Sequence, residues 1–107
     1  MRLKQVPFDL TICQLDRDCS FDLSKDFYCL MKTEDEISLV CKTQEVPVQT
    51  LHREDGWRAF YIDGCLDFSL VGILSKISAL LADRQISIFS LSTYNTDYII
   101  SETRAFG

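Results

Sequence analysis

In the stretch VPFDLTICQL, Leu10 and Ile12 alternate with Thr11, Cys13 and Leu15, giving one wholly apolar face and one mixed face. Alternation of this kind predicts a partly buried strand. The segment DRDCSFDLSKD that follows is polar and rich in turn formers. FYCLMK and ISLVCK then flank TEDE, which predicts a hairpin with a loop longer than the two-residue minimum. Thr33 and Glu36 have capping-box spacing, but ISLVC is too short and too rich in strand formers for a helix. QEVPVQTLHREDG, with Pro47 and a charged end, is expected to connect two halves of the chain.

The period changes in the second half. WRAFYID alternates Trp57, Ala59 and Tyr61 against Arg58, Phe60 and Ile62, the pattern of a strand with apolar residues on both faces. From Leu70 the spacing turns helical: Leu70, Ile73, Leu74, Ile77, Leu80 and Leu81 share one side, with Lys76 and Asp83 away from it. ISIFSLST returns to a strand, and a hairpin leads into YIIS. Two strands joined by a helix are expected to lie parallel and adjacent or nearly so, through a right-handed crossover. The fold class predicted is α+β, a sheet with one helix on a face.

Composition narrows the function. Among 107 residues, 47% are hydrophobic, which suits a folded globule of one small domain or two very small ones, and the net charge of -5 disfavours nucleic acid, whose phosphates need clustered Lys and Arg. No segment approaches the ~20 apolar residues that span a bilayer, and MRLKQVPFDL has no signal-peptide core, so a soluble cytoplasmic protein is expected, without a membrane role. The five cysteines, Cys13, Cys19, Cys29, Cys41 and Cys65, include no C-x-x-C pair, which predicts reduced thiols rather than a disulfide framework or zinc site. Cys29 and Cys41 are expected to act as small apolar residues on strand faces. The single histidine, His52, lies away from any recognisable nucleophile, and no glycine-rich phosphate loop occurs. Asp63 and Asp67 read as solvated or capping acids. No enzyme, metal or cofactor is predicted.

Two polar ends remain. The strand–helix junction DGCLDFSLVG should present free N–H groups at a helix start, which suit a carboxylate, with Asp67 or Ser69 as a possible cap. Gly72 costs up to ~1 kcal/mol in a helix against alanine, so a close-packed backbone or a ligand is expected there. STYNTD gathers Thr93, Asn95 and Thr96 with the negative charge of Asp97; by itself YNTD is also an ordinary turn sequence. Together these ends offer one pole for an anion and one for a cation, as a free α-amino acid requires.

Residues 56 to 100, above all LDFSLVGIL and ISIFSLSTYNTDY, resemble the ACT domains, specifically short ACT-like proteins related to the lysine/arginine-sensing regulators of animal cells. KTEDEISLVC is similar to the hairpin of a degenerate first ACT-like half. The resemblance implies a ferredoxin-like sandwich, with a degenerate half over residues 1–53 and an ACT domain over 54–107. It implies a non-enzymatic regulatory module with the ligand held by Ser69, Leu70, Gly72 and Ile73 at the helix entry and by Thr93, Tyr94, Asn95 and Asp97 in the second loop. Asp97 would hold an ammonium or a basic side chain. Against the family pattern, SETRAFG follows where a second helix and last strand are expected, and the first half shows no covering helix. Uncovered sheet predicts a homodimer. The alternative is an ACT-like dimerisation or protein-interaction module without a ligand.

Overall fold

The computed structural model describes residues 2–63 and 70–103. In chain order the elements are β1 (Arg2–Gln5), β2 (Leu10–Leu15), β3 (Tyr28–Lys32), β4 (Ile37–Lys42), a short 3-10 turn (Thr43–Glu45), β5 (Thr50–Asp63), α1 (Leu70–Ala82), β6 (Ile88–Ser92) and β7 (Asp97–Glu102). Contacts group residues 8–57 into one compact unit and residues 1–7 with 58–107 into another. This is an α+β chain, mostly antiparallel, with one helix among the described residues.

In the 8–57 unit the strand order is β3-β4-β2, followed by the first half of β5. The predicted hairpin forms, with Lys32 opposite Ile37 and TEDE as its loop. Both faces of β2 contribute buried residues, Leu10 on one and Thr11, Cys13 and Leu15 on the other. Cys13 and Leu15 of β2 meet Leu39 and Cys41 of β4 in the core, while Ile12 is only partly buried. Thr11 can share that interior because its hydroxyl is satisfied: it lies 2.6 Å from an Asp55 carboxylate oxygen and 2.9 Å from the Thr43 hydroxyl. A carboxylate only accepts, so Thr11 donates to Asp55 and accepts from Thr43.

Two further expectations are corrected in this unit. The segment 16–27 does not leave the sheet bare. Cys19 and Phe21 pack on the Cys13–Leu15–Leu39–Cys41 cluster, and Phe21 meets Tyr28 edge-on with ring centroids 4.8 Å apart. The Tyr28 hydroxyl donates to the Leu23 carbonyl at 3.0 Å, pinning the segment down. The expected connector is also partly strand, since β5 starts at Thr50 and pairs with β2. Leu10 faces Trp57 and Ile12 faces Glu54, so β5 carries one extra residue between them. Gly56, at φ 88°, absorbs that residue in a β-bulge. Asp-Gly here bends a strand instead of ending one.

In the second unit β7 neighbours β5 and pairs with β6, while β1 pairs with β5 from Arg2 opposite Asp63 to Gln5 opposite Phe60. The strands on either side of the helix are therefore nearly adjacent, with β7 inserted between them. Helix α1 matches the predicted span, yet Leu80, assigned to its apolar side, is 58% exposed. The helix closes in a Schellman motif: Ile86 N–H reaches the Leu81 carbonyl and Gln85 N–H the Ala82 carbonyl, both at 3.0 Å. Gln85 sits at φ 56°, the position where glycine is usual. No helix among the described residues is long and apolar enough to cross a membrane.

The two hairpins are superposable in sequence at an offset of sixty residues, the difference between Tyr28 and Ile88 at the start of β3 and of β6. Each has a five-residue strand, a four-residue turn and a six-residue strand. In each second strand the third to fifth residues are buried: Leu39, Val40 and Cys41 in β4, Ile99, Ile100 and Ser101 in β7. Strand order repeats as well, β2-β4-β3 in one unit and β5-β7-β6 in the other.

Candidate functional site

The hairpin gathers Thr93, Tyr94, Asn95 and Asp97 at one turn. Thr93 N–H donates to the Thr96 carbonyl at 2.7 Å, and Thr96 N–H returns to the Thr93 hydroxyl at 3.1 Å. The same hydroxyl lies 3.0 Å from the Thr96 carbonyl. Asp97 is opposite Ser92 in the ladder, and its carboxylate accepts a hydrogen bond from the Ser92 hydroxyl. Tyr94 and Asn95 stand exposed at the tip, Tyr94 wholly so. The Thr93 hydroxyl and the Thr96 backbone are consumed by the turn, which leaves the Tyr94 ring, the Asn95 amide, the Thr96 hydroxyl and the second Asp97 oxygen for another molecule.

The equivalent turn makes the same bonds. Thr33 N–H donates to the Glu36 carbonyl at 2.9 Å, while Asp35 and Glu36 N–H groups approach the Thr33 hydroxyl at 3.2 and 3.1 Å. Where the second turn has Ser92 and Asp97, the first has Lys32 and Ile37. Thr-x-x-x turns of this type are therefore a device of the fold, and only the Ser92–Asp97 pair and the tip residues are particular to the second. A threonine recurring at 33 and 93 was the available sequence signal.

Of the helix-entry residues, Leu70, Gly72 and Ile73 lie in the first turn of α1, and Ser69 lies outside the described residues, as does Asp67. Gly72 is exposed, and a Cβ built on it meets no described atom within 4 Å. Close packing of a neighbouring described backbone thus does not explain this glycine.

The thiols have a plain physical account. Cys41 is fully buried, and burial, reinforced by Cys13 and then Glu45 nearby, pushes its thiol up to about 12. Burial likewise raises Cys13. Both stay protonated at neutral pH and behave as apolar side chains. Cys29 is partly buried on edge strand β3, and Cys65 lies outside the described residues. His52, Arg53 and Glu54 are on β5 rather than in a connector. Arg53 reaches Asp55 through Nη2 at 2.9 Å and Nε at 3.3 Å. The Thr11 hydroxyl first, and then Arg53, hold the Asp55 carboxyl below its ordinary value.

Comparison with known proteins brings these elements together. Residues 52–102 match the family profile of the ACT domain, a span containing α1, the β6–β7 hairpin and all but the first two residues of β5. No curated protein matches the sequence. Among solved structures, the chain is similar to the protein Atu0741 of Agobacterium tumefaciens, at 24% identity and a TM-score of 0.80, covering 97% of this chain and 79% of that one. It is also similar to VC0802 of Vibrio cholerae, a protein of unknown function described as a possible transport protein, at 15% identity and a TM-score of 0.70. That match covers 95% of this chain and 78% of the other. At these identities the likeness is one of fold.

Proposed function

We propose, from the ACT domain over residues 52–102, that this chain is a non-enzymatic regulatory module which binds a free amino acid between the start of α1 and the 92–97 turn. The observation that carries the reading is that match, because its span includes both polar ends. That no described atom lies within 4 Å of a Cβ at Gly72 supports it: among the described residues nothing keeps a ligand or a second subunit from the helix backbone there. In this reading the helix N–H groups receive the α-carboxylate, and Asp97, oriented by Ser92, receives the ammonium or a basic side chain. The earlier resemblance to animal lysine/arginine-sensing regulators directs the first trials to those two amino acids. A homodimer belongs to the same proposal, although segment 16–27 removes part of the uncovered surface that first suggested it.

The test is a thermal-shift screen of the proteinogenic amino acids on the full chain. Ligand at ~100 times its dissociation constant adds ~2.7 kcal/mol, worth several degrees for a domain of this size. Asp97→Ala should abolish the shift of any hit, and an unchanged shift would remove Asp97 from the site.

A second reading, an ACT-like dimerisation or docking module without ligand, is favoured by one observation. The 93–96 turn satisfies the Thr93 hydroxyl internally, as 33–36 satisfies its own threonine. A flat screen combined with a stable dimer in light scattering would select this reading.

A further inference from the structure

A hollow lies entirely within the 8–57 unit, on β2, β5, β4 and the turn before it. Its volume is ≈ 210 Å³, and Ile12, Gln14, Glu36, Ser38, His52 and Glu54 contribute to its lining. Cross-strand register sets the arrangement: Ser38, Gln14 and His52 form one row across the three strands, and Val40, Ile12 and Glu54 form the next. Gln14, Glu36, Ser38, His52 and Glu54 make no side-chain hydrogen bond or ion pair among the described residues. This is unlike the nearby Thr11–Thr43–Asp55–Arg53 group, whose members satisfy one another. The hollow therefore presents two unpaired carboxylates, an imidazole, an amide and a hydroxyl beside the aliphatic Ile12. Arg53 also lines it, but its charge is matched by Asp55 at 2.9 Å.

The register excludes a single small cation held by both acids. β4 and β5 both run antiparallel to β2, so they are parallel to each other. Glu36 lies two residues before the Ser38–Gln14–His52 row and Glu54 two residues after it. With strands about 4.8 Å apart and a rise of about 3.3 Å per residue, their Cα atoms are about 16 Å apart along a diagonal. Carboxylates at opposite corners, with acceptors and an apolar surface between them, complement two cationic groups at the ends of one aliphatic chain. The ≈ 210 Å³ volume is below the about 300 Å³ usual for drug-sized ligands, which suits a small molecule.

We propose that this hollow is a binding site for a linear aliphatic diamine, with one ammonium group at Glu36, the other at Glu54, and the methylene chain over Ile12 beside Gln14 and His52. The site is independent of the amino-acid site proposed above, so either can fail alone.

The test is an NMR titration of the full chain with putrescine and cadaverine, against butylamine at matched ionic strength. The diamines should saturate residues 12–14, 36–38 and 52–54 and bind roughly three- to fivefold more tightly than the monoamine, as one added exposed ion pair implies. Glu36→Gln and Glu54→Gln should each bring diamine affinity down to the monoamine level. Asp18→Asn and Asp83→Asn, which remove the same charge elsewhere, should leave it unchanged. Equal weakening by all four substitutions, equal affinity for diamine and monoamine, or no saturation at millimolar concentration would overturn the proposal.

Discussion

Hairpin β3–β4 and hairpin β6–β7 have the same lengths, the same threonine-closed turn and the same three buried positions, yet they are supported differently. The first is reached from β2 through segment 16–27, which packs Cys19 and Phe21 on the sheet; the second is reached from β5 through a span that includes α1. An irregular segment with a few apolar anchors and a helix thus occupy corresponding places in the two strand orders. The functional consequence is asymmetry. Among the described residues, only the second unit has an α-helix start together with an acid at the end of the turn ladder: Ile37, opposite Lys32, stands where Asp97 faces Ser92.

The repeat can be broken most severely in the buried strands. Leu39→Ala and Ile99→Ala each remove a side chain that is at most 1% exposed, and each should cost about 2–5 kcal/mol in denaturant unfolding. A loss under about 1 kcal/mol at one position only would show that the two hairpins are not equivalent supports.

A reciprocal exchange sharpens the comparison. Cys41 and Ser101 occupy corresponding buried positions, and the Ser101 hydroxyl has no hydrogen-bond partner among the described residues. Cys41→Ser should destabilise by about 1–3 kcal/mol by burying a hydroxyl among apolar side chains, whereas Ser101→Cys should be neutral or stabilising. Effects of the same sign would contradict the environments described here.

Thr33→Val and Thr93→Val each delete a hydroxyl that accepts a turn N–H, and each should cost about 1 kcal/mol. Similar losses in thermal unfolding would support a shared structural role. A markedly larger effect of Thr93→Val on amino-acid response than on stability would place that hydroxyl in the site.

Smaller still is a pH effect confined to the first unit. Asp55 has a folded pKa below its unfolded value of about 3.9, so its stabilising contribution is present above that value and fades as pH falls through the lower folded one. Asp55→Asn should therefore flatten the acid limb of the stability curve below about pH 4. An unchanged acid limb would remove the Thr11–Asp55–Arg53 group from it.

Much of the architecture was legible because β2, β4, α1 and β6 carry their period openly, and TEDE and TYNT are turn sequences. Thr50 to Gly56 carry no strand signal of their own, because exposed charged residues there show no apolar alternation and Asp-Gly resembles a turn end. Their strand character comes from pairing with β2, which is long-range information. The cover given by segment 16–27 was hidden for a related reason: Phe21 and Cys19 sit singly among polar residues, without a period. At the candidate site, the composition of STYNTD was visible, but the division of labour was not. Composition cannot separate Thr93 and Thr96, which close the turn, from Asp97, whose carboxylate retains capacity beyond its bond to Ser92.

The most direct test of functional asymmetry is a two-dimensional NMR titration of the full chain with the amino acid giving the largest thermal shift. The account predicts saturable perturbation at residues 70–73 and 92–97, with the matching positions 32–37 unmoved. Equal perturbation of both turns, or a response confined to the first hairpin, would contradict it.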